Sequence, residues 1–207
     1  MARQHLAEVN VDLLPEPCRS CLFWETGGPP GPDQPEEARH AAREGKEAWW
    51  RATNLEWGAC GLGVWDEDRL VGYGLIVPPS YARGAARLGR VTEDALLLAV
   101  LWVDDQSEEG AAVAERIVGG ALLMVAARGA RALEAFASPN GRACLTDERL
   151  LRDTGFSLLR SQRPYPHYRL DLRQTARWKE TAESALASLR AALRERRVGR
   201  VPSLPSP

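Results

Sequence analysis

The 207-residue sequence predicts a mixed α/β domain, with strands and helices layered around one sheet. Three observations predict it. Ala95 to Val103 (ALLLAVLWV) is an unbroken apolar run of strand length, as expected of a strand covered on both faces. Ala111 to Arg128 follows as a strongly helical stretch, and Gly129 suits a left-handed cap at its end. Ahead of both, Ala59 to Trp65 and Arg69 to Val77 are strand-like segments joined by a turn over Asp66 to Asp68, the pattern of an antiparallel hairpin.

The other elements follow in chain order. Val9 to Leu14 alternates and predicts a first strand, broken by Pro15 and Pro17. CRSCLFWE (Cys18 to Glu25) is apolar and aromatic with one face to bury, and Thr26 to Pro35 is a Gly/Pro-rich loop. Glu36 to Asn54 carries helix formers throughout. Ala82 to Thr92 is polar and arginine-rich, an irregular connection or short strand. Arg131 to Ala137 (RALEAFA) is a strand. Thr146 is placed to cap a short helix running to Thr154, with Asp147 and Glu148 in its first turn. Strands over 155–159 and 168–172 then form an antiparallel pair. Thr175 to Arg197 spaces Trp178, Ala182, Leu186, Leu189 and Leu193 along one side of a long amphipathic helix, and the tail VPSLPSP is expected to be disordered.

Bulk properties narrow the function classes. With 44% hydrophobic and 27% charged residues, the chain can bury a real core and is too apolar for wholesale disorder. A formal net charge of -1 provides no global field to recruit nucleic acid. The five arginines between Arg190 and Arg200 are read as a solvated helix face. No apolar run reaches the roughly 20 residues of a membrane span, and MARQHLAEVN has no apolar secretion signal, so a cytoplasmic location without membrane attachment is expected. Four cysteines do not make a disulfide scaffold. Cys18-x-x-Cys21 has the spacing of half a zinc site, but Cys60, Cys144, His5, His40 and His167 form no second half, so no metal is expected.

The order helix, hairpin, buried strand, loop, long helix, strand, short helix, hairpin resembles the GNAT superfamily of acyl-CoA-dependent N-acetyltransferases. The segment 95–137 ending in ARGARALEAFA carries most of the likeness, and Gly155-Phe156 after the short helix adds to it. PCRSCLFWE, EWGACG, GY followed by PPSY, and YPHYRLDL look like an actinobacterial subgroup. The resemblance covers roughly residues 9 to 172 and implies a mainly antiparallel central sheet flanked by helices. It divides the chain into an acyl-CoA-binding domain (1–172), an extra C-terminal helix (173–198) and a tail (199–207).

The resemblance also implies acetyl-CoA as co-substrate and a loop that holds its pyrophosphate. In the family that loop reads Arg/Gln-x-x-Gly-x-Gly/Ala. Backbone N–H groups at a helix N-terminus face the phosphates there, and small residues let the backbone approach. The matching stretch is Ser107-Glu108-Glu109-Gly110-Ala111-Ala112. Gly110 and Ala112 fit, and Ser107 stands where the family carries Arg or Gln, with Gln106 one residue early. Asp104, Asp105, Glu108 and Glu109 crowd the loop, and no Lys or Arg lies between Glu93 and Glu115. Either the acids cap the helix or the loop still binds CoA. Leu101, Trp102 and Val103 would present their backbone to the pantetheine. Where the family places an Asn and a Tyr in the short helix, this chain has Cys144 and Leu151, which leaves Tyr165 or Tyr168 as nearby proton donors.

Glu134 is the candidate general base, because it shares a sheet face with Ala132 and Phe136 and an apolar setting raises a carboxyl pKa. The competing reading is a solvated or paired glutamate. Glu93 and Asp94 are weaker candidates. Trp24, Trp49, Trp50, Trp57 and Trp65 are read chiefly as core, with a share available to line an acceptor pocket. The expected activity is transfer of an acetyl or related acyl group to an amine that attacks the thioester directly. Against it stand a degenerate fold that binds CoA weakly or not at all, and a structural protein whose C-terminal helix drives homo-oligomerisation. The acceptor amine has no signature in the sequence.

Overall fold

A computed structural model describes residues 4–16, 18–28, 35–107, 109–138 and 144–174. The expected C-terminal helix and tail lie outside these residues. Eight strands form the sheet, in the order β1 (His5–Glu8), β2 (Gly61–Asp66), β3 (Arg69–Val77), β4 (Ala95–Val103), β5 (Ala132–Ser138), β8 (His167–Asp171), β7 (Ser157–Arg160), with β6 (Thr146–Asp147) beside β5. Neighbours are antiparallel except β4 with β5 and β5 with β6. The helices are α1 (Phe23–Thr26), α2 (Glu36–Glu56), α3 (Gly110–Ala127) and α4 (Glu148–Asp153).

The expected mixed α/β architecture is the one observed. The hairpin, the buried strand, the long helix and the strand after it fall within two residues of their predicted ends. Gly129 takes φ 70°, as its capping role requires. The first strand is a correction. It occupies His5–Glu8, and Val11–Leu13 forms a 3-10 turn. Pairing with β2 ends at Glu8 opposite Leu62, so the chain beyond has no ladder to join, and the turn buries Val9, Val11 and Leu14 instead. Residues 83–87 are likewise a 3-10 turn within an irregular connection.

Two hydrophobic layers sandwich the sheet. On one face α3 packs Val113, Ile117, Val118 and Ala121 against Leu6, Leu62, Ile76, Leu98 and Leu133. Gly72 and Gly74 of β3 make that approach close, since a Cβ there would stand 2.5 Å from Val113 and 2.6 Å from Ile117. On the other face Trp24, Trp50, Tyr73, Leu75, Leu97 and Phe136 pack together, with α2 contributing Trp50. A buried ion pair, Lys46 Nζ to Glu25 Oε1 at 2.5 Å, ties α2 to α1. By length and composition α3 could cross a membrane, but half of it is buried inside the fold, which accounts for its apolarity.

The feature that positions the site is a bulge in β4. Leu75 pairs with Val100 and Ile76 with Leu98, so Ala99 is an extra residue without an opposite number. A bulge bends its strand and breaks the ladder locally. Accordingly β4 pairs with β5 only over Ala95–Leu97 against Ala132–Glu134, and beyond that the two parallel strands separate.

Candidate functional site

A cleft of about 690 Å³ opens beyond the point where β4 and β5 part. Its floor is the end of β4, Leu101 to Val103. One wall is the loop into α3, with Asp104, Asp105, Ser107, Gly110 and Ala111. The opposite wall is β6 and α4, with Leu145, Asp147, Arg149, Leu150 and Asp153. Cys18 and Cys144 complete it.

The cleft gathers most of the residues that the sequence singled out for the cofactor: Leu101, Trp102, Val103, Ser107, Gly110 and Ala111. Glu109 and Ala112 do not line it. Glu109 is the N-cap residue of α3, and its side chain accepts no capping hydrogen bond. No acid occupies the first turn of α3. Among the described residues, then, acids do not cap this helix, and its first N–H groups start at the cleft wall. Asp104 is engaged elsewhere. Its carboxylate accepts from Arg69 Nη1 at 2.9 Å and from Gln106 N at 3.1 Å, and its C=O accepts from Ser107 N. Arg69 therefore offsets one charge of the acidic loop, and Arg149 brings a guanidinium to the opposite wall.

Strand alternation sets which backbone groups face the cleft. Asp104 N donates to Val71 O, toward β3, whereas Leu101 N donates away from β3, to Thr146 Oγ1 at 3.2 Å. The N–H of Val103, two residues on, points to the same side as that of Leu101. The short helix also departs from expectation. Its N-cap is Asp147, which accepts from Arg149 N at 2.7 Å and Leu150 N at 3.3 Å. Thr146 is instead drawn into β6 and onto β4.

The cleft thiols are poor nucleophiles. Burial pushes the Cys18 thiol up despite its hydrogen bond with Tyr73, and a hydrogen bond with Cys21 together with burial pushes Cys144 far up. All four cysteines are free, and among the described residues no group of three or more His, Cys, Asp or Glu could hold a metal ion.

Glu134 and Tyr165 do not line this cleft. Tyr165 is half-buried on the β7–β8 connection. Glu134 is fully buried at the closed end of the separation, opposite Leu97. It accepts from Thr92 N at 3.0 Å, from Thr92 Oγ1 at 2.5 Å and from Arg169 Nη1 at 2.8 Å. His167 Nε2 lies 2.9 Å from its other oxygen, and the His167 ring stacks on Phe136. The expected raised pKa is overturned. Burial alone pushes this carboxyl up, but His167, Thr92 and Arg169 together outweigh it and hold it at about 2. Asp94 is also held at about 2, chiefly by Arg169 and Thr92. Arg169 completes the network by donating to Asp94 and Asp171.

Leu151, at the family's Tyr position, is fully buried in the core beneath α3. Tyr168 is buried too, and its hydroxyl donates to Glu148 at 2.5 Å while accepting from Arg152. None of the five early tryptophans lines the cleft. Trp24 supports it from behind, donating its Nε1–H to Cys144 O at 2.7 Å.

Solved structures share this arrangement of strands and helices. The PaiA N-acetyltransferase of Thermoplasma acidophilum, in complex with coenzyme A, matches with a TM-score of 0.51 at 10% identity, over 82% of this chain and 99% of that one. The fold is that of the GNAT acetyltransferases. Salmonella typhimurium yncA, with its cofactor acetyl-CoA, matches at 0.50 and 12% identity over 84% and 96% of the two chains. An N-acetyltransferase of Staphylococcus aureus Mu50 matches at 0.50 and 13% over 82% and 99%. No protein-family model matches the sequence, and no curated protein matches it either. At these identities the likeness is one of fold, and the chemistry has to be argued from the cleft.

Proposed function

We propose that the protein is an N-acetyltransferase that moves an acetyl group from acetyl-CoA to an amine. The observation that carries this reading is the cleft itself. A parted strand edge at Leu101 to Val103 and the N-terminus of α3 open onto one cavity of about 690 Å³. Its volume suits a cofactor-sized ligand. The backbone of Val103 is set to pair with the amides of pantetheine as a further strand would. Gly110 and Ala111 bring bare backbone to the pyrophosphate, helped by the helix dipole.

In this reading the amine nitrogen attacks the thioester carbon, the C–S bond breaks, and CoA leaves as the thiolate. Glu134, held charged and fully hydrogen-bonded, anchors the sheet rather than taking the amine's proton, and Leu151 offers none to the thiolate. Both protons pass to and from solvent in an open cleft. The same absence of a positioned acid and base favours, as second reading, a protein that binds CoA without transferring its acyl group. Either activity belongs in the cytoplasm, where acyl-CoA is at hand and thiols stay reduced.

The test is turnover of acetyl-CoA with a panel of primary amines, read by release of free CoA thiol. Amine-dependent release supports the transferase. Saturable acetyl-CoA binding with no release for any amine supports the second reading.

A further inference from the structure

The gap between β4 and β5 is not open along its whole length. It is filled at its inner end by a wedge, residues 144–147, which the short-helix motif does not explain. Ala137 and Ser138 of β5 pair in parallel with Thr146 and Asp147. From the other side the Leu101 N–H donates to Thr146 Oγ1, and Thr146 is buried. One threonine thus joins the two edges that the bulge at Ala99 had separated.

The wedge is fixed at every residue. Cys144 takes φ 74°, unusual for a residue with a side chain, and Trp24 Nε1 holds its carbonyl at 2.7 Å. Leu145 packs against the aromatic layer, and Asp147 caps α4. The cleft ends where the wedge begins. Among β4 residues only Leu101 to Val103 line it, and no described residue of β5 does.

We infer that Thr146 closes the acyl end of the cleft and restricts the protein to short-chain acyl-CoA. This rests on the acyl-CoA reading above. With the pyrophosphate at Gly110 and Ala111, an extended pantetheine runs along Val103 toward Leu101 and delivers the thioester to the face of the wedge. An acetyl group ends there. Each further methylene must push Thr146 off a buried hydrogen bond, leaving the Leu101 N–H without a partner.

The experiment is calorimetric titration of the full chain with CoA, acetyl-CoA, butyryl-CoA and hexanoyl-CoA, repeated with Thr146→Ala and Thr146→Ser. Wild type is expected to bind CoA and acetyl-CoA alike and hexanoyl-CoA at least ~10-fold more weakly, with Thr146→Ser behaving as wild type because it keeps the hydroxyl acceptor. Thr146→Ala is expected to bring hexanoyl-CoA to within ~3-fold of acetyl-CoA while leaving CoA itself unchanged. Hexanoyl-CoA bound by wild type as tightly as acetyl-CoA overturns the inference, even if the alanine variant does not fold. So does a folded Thr146→Ala that keeps the full discrimination. Either result leaves the acyl-CoA reading standing, because CoA binding is measured in the same series. Wild type binding no CoA removes both.

Discussion

Two polar regions lie on either side of the point where β4 and β5 part, and they are built in opposite ways. Below it, Thr92, Asp94, Glu134, His167, Arg169 and Asp171 form a network in which one guanidinium serves three carboxylates. Above it, the end of β4 and the start of α3 leave backbone groups directed into a cleft. The first region holds the group with the large carboxyl shift, and the second holds the space. Perturbed pKa values gather at functional sites, but ion-pair networks perturb them as well. Here the depressed Glu134 marks the lock that closes the strand pair, and the site is where that lock is absent.

The sharpest way to break this contrast is to open the lock. Arg169→Ala leaves Glu134 buried without its cation and Asp94 and Asp171 unpaired. A loss of about 3–5 kcal/mol in urea unfolding is expected, the cost typical of breaking a buried pair. A loss below about 1 kcal/mol would make the network ornamental.

Acid gives a second, slightly smaller effect. The Glu134 carboxyl sits at about 2 in the fold against an ordinary 4.5, so folding favours its charged form. That contribution is whole above the ordinary value and is lost as pH falls through about 2, a span worth about 3 kcal/mol. Unfolding free energies measured between neutral pH and pH 2 are expected to fall across that window, and Glu134→Gln to flatten the fall.

On the cleft side, Gly110→Glu puts a carboxylate where the phosphates would lie. CoA affinity is expected to drop at least ~100-fold, about 2.7 kcal/mol, by calorimetry. The stability of the fold should hardly move, because a Cβ at Gly110 meets only Val103 Cγ1 at 3.4 Å. Equal affinity in that variant would sink the assignment of this wall. The smallest effect is at Asp147→Ala, which removes the cap of α4 and is expected to cost ~1 kcal/mol of stability by thermal unfolding.

The fold was largely legible because its strongest signals are local. ALLLAVLWV is a two-faced strand in any context, and the Gly129 turn follows from the end of the helix it closes. The site was legible only in part. The bulge at Ala99 lies within a run of nine apolar residues, where alternation cannot show a change of phase. Thr146 has the sequence context of a helix cap, but a two-residue strand exists only through its partners, Ala137 and Leu101. Glu134 was misread for a related reason: its immediate neighbours are apolar, while the groups that hold it charged come from Thr92 and from His167 and Arg169 on β8. Cys18, on the cleft rim, stood out only for its spacing to Cys21, which pointed to chemistry the structure does not use.

The central claim is that the parted strands above this lock take acyl-CoA. Titration calorimetry of the full chain with acetyl-CoA and, separately, CoA tests it most directly. The account predicts saturable binding of both at one site per chain, with a dissociation constant in the micromolar range. No detectable heat with either ligand at millimolar concentration would contradict it.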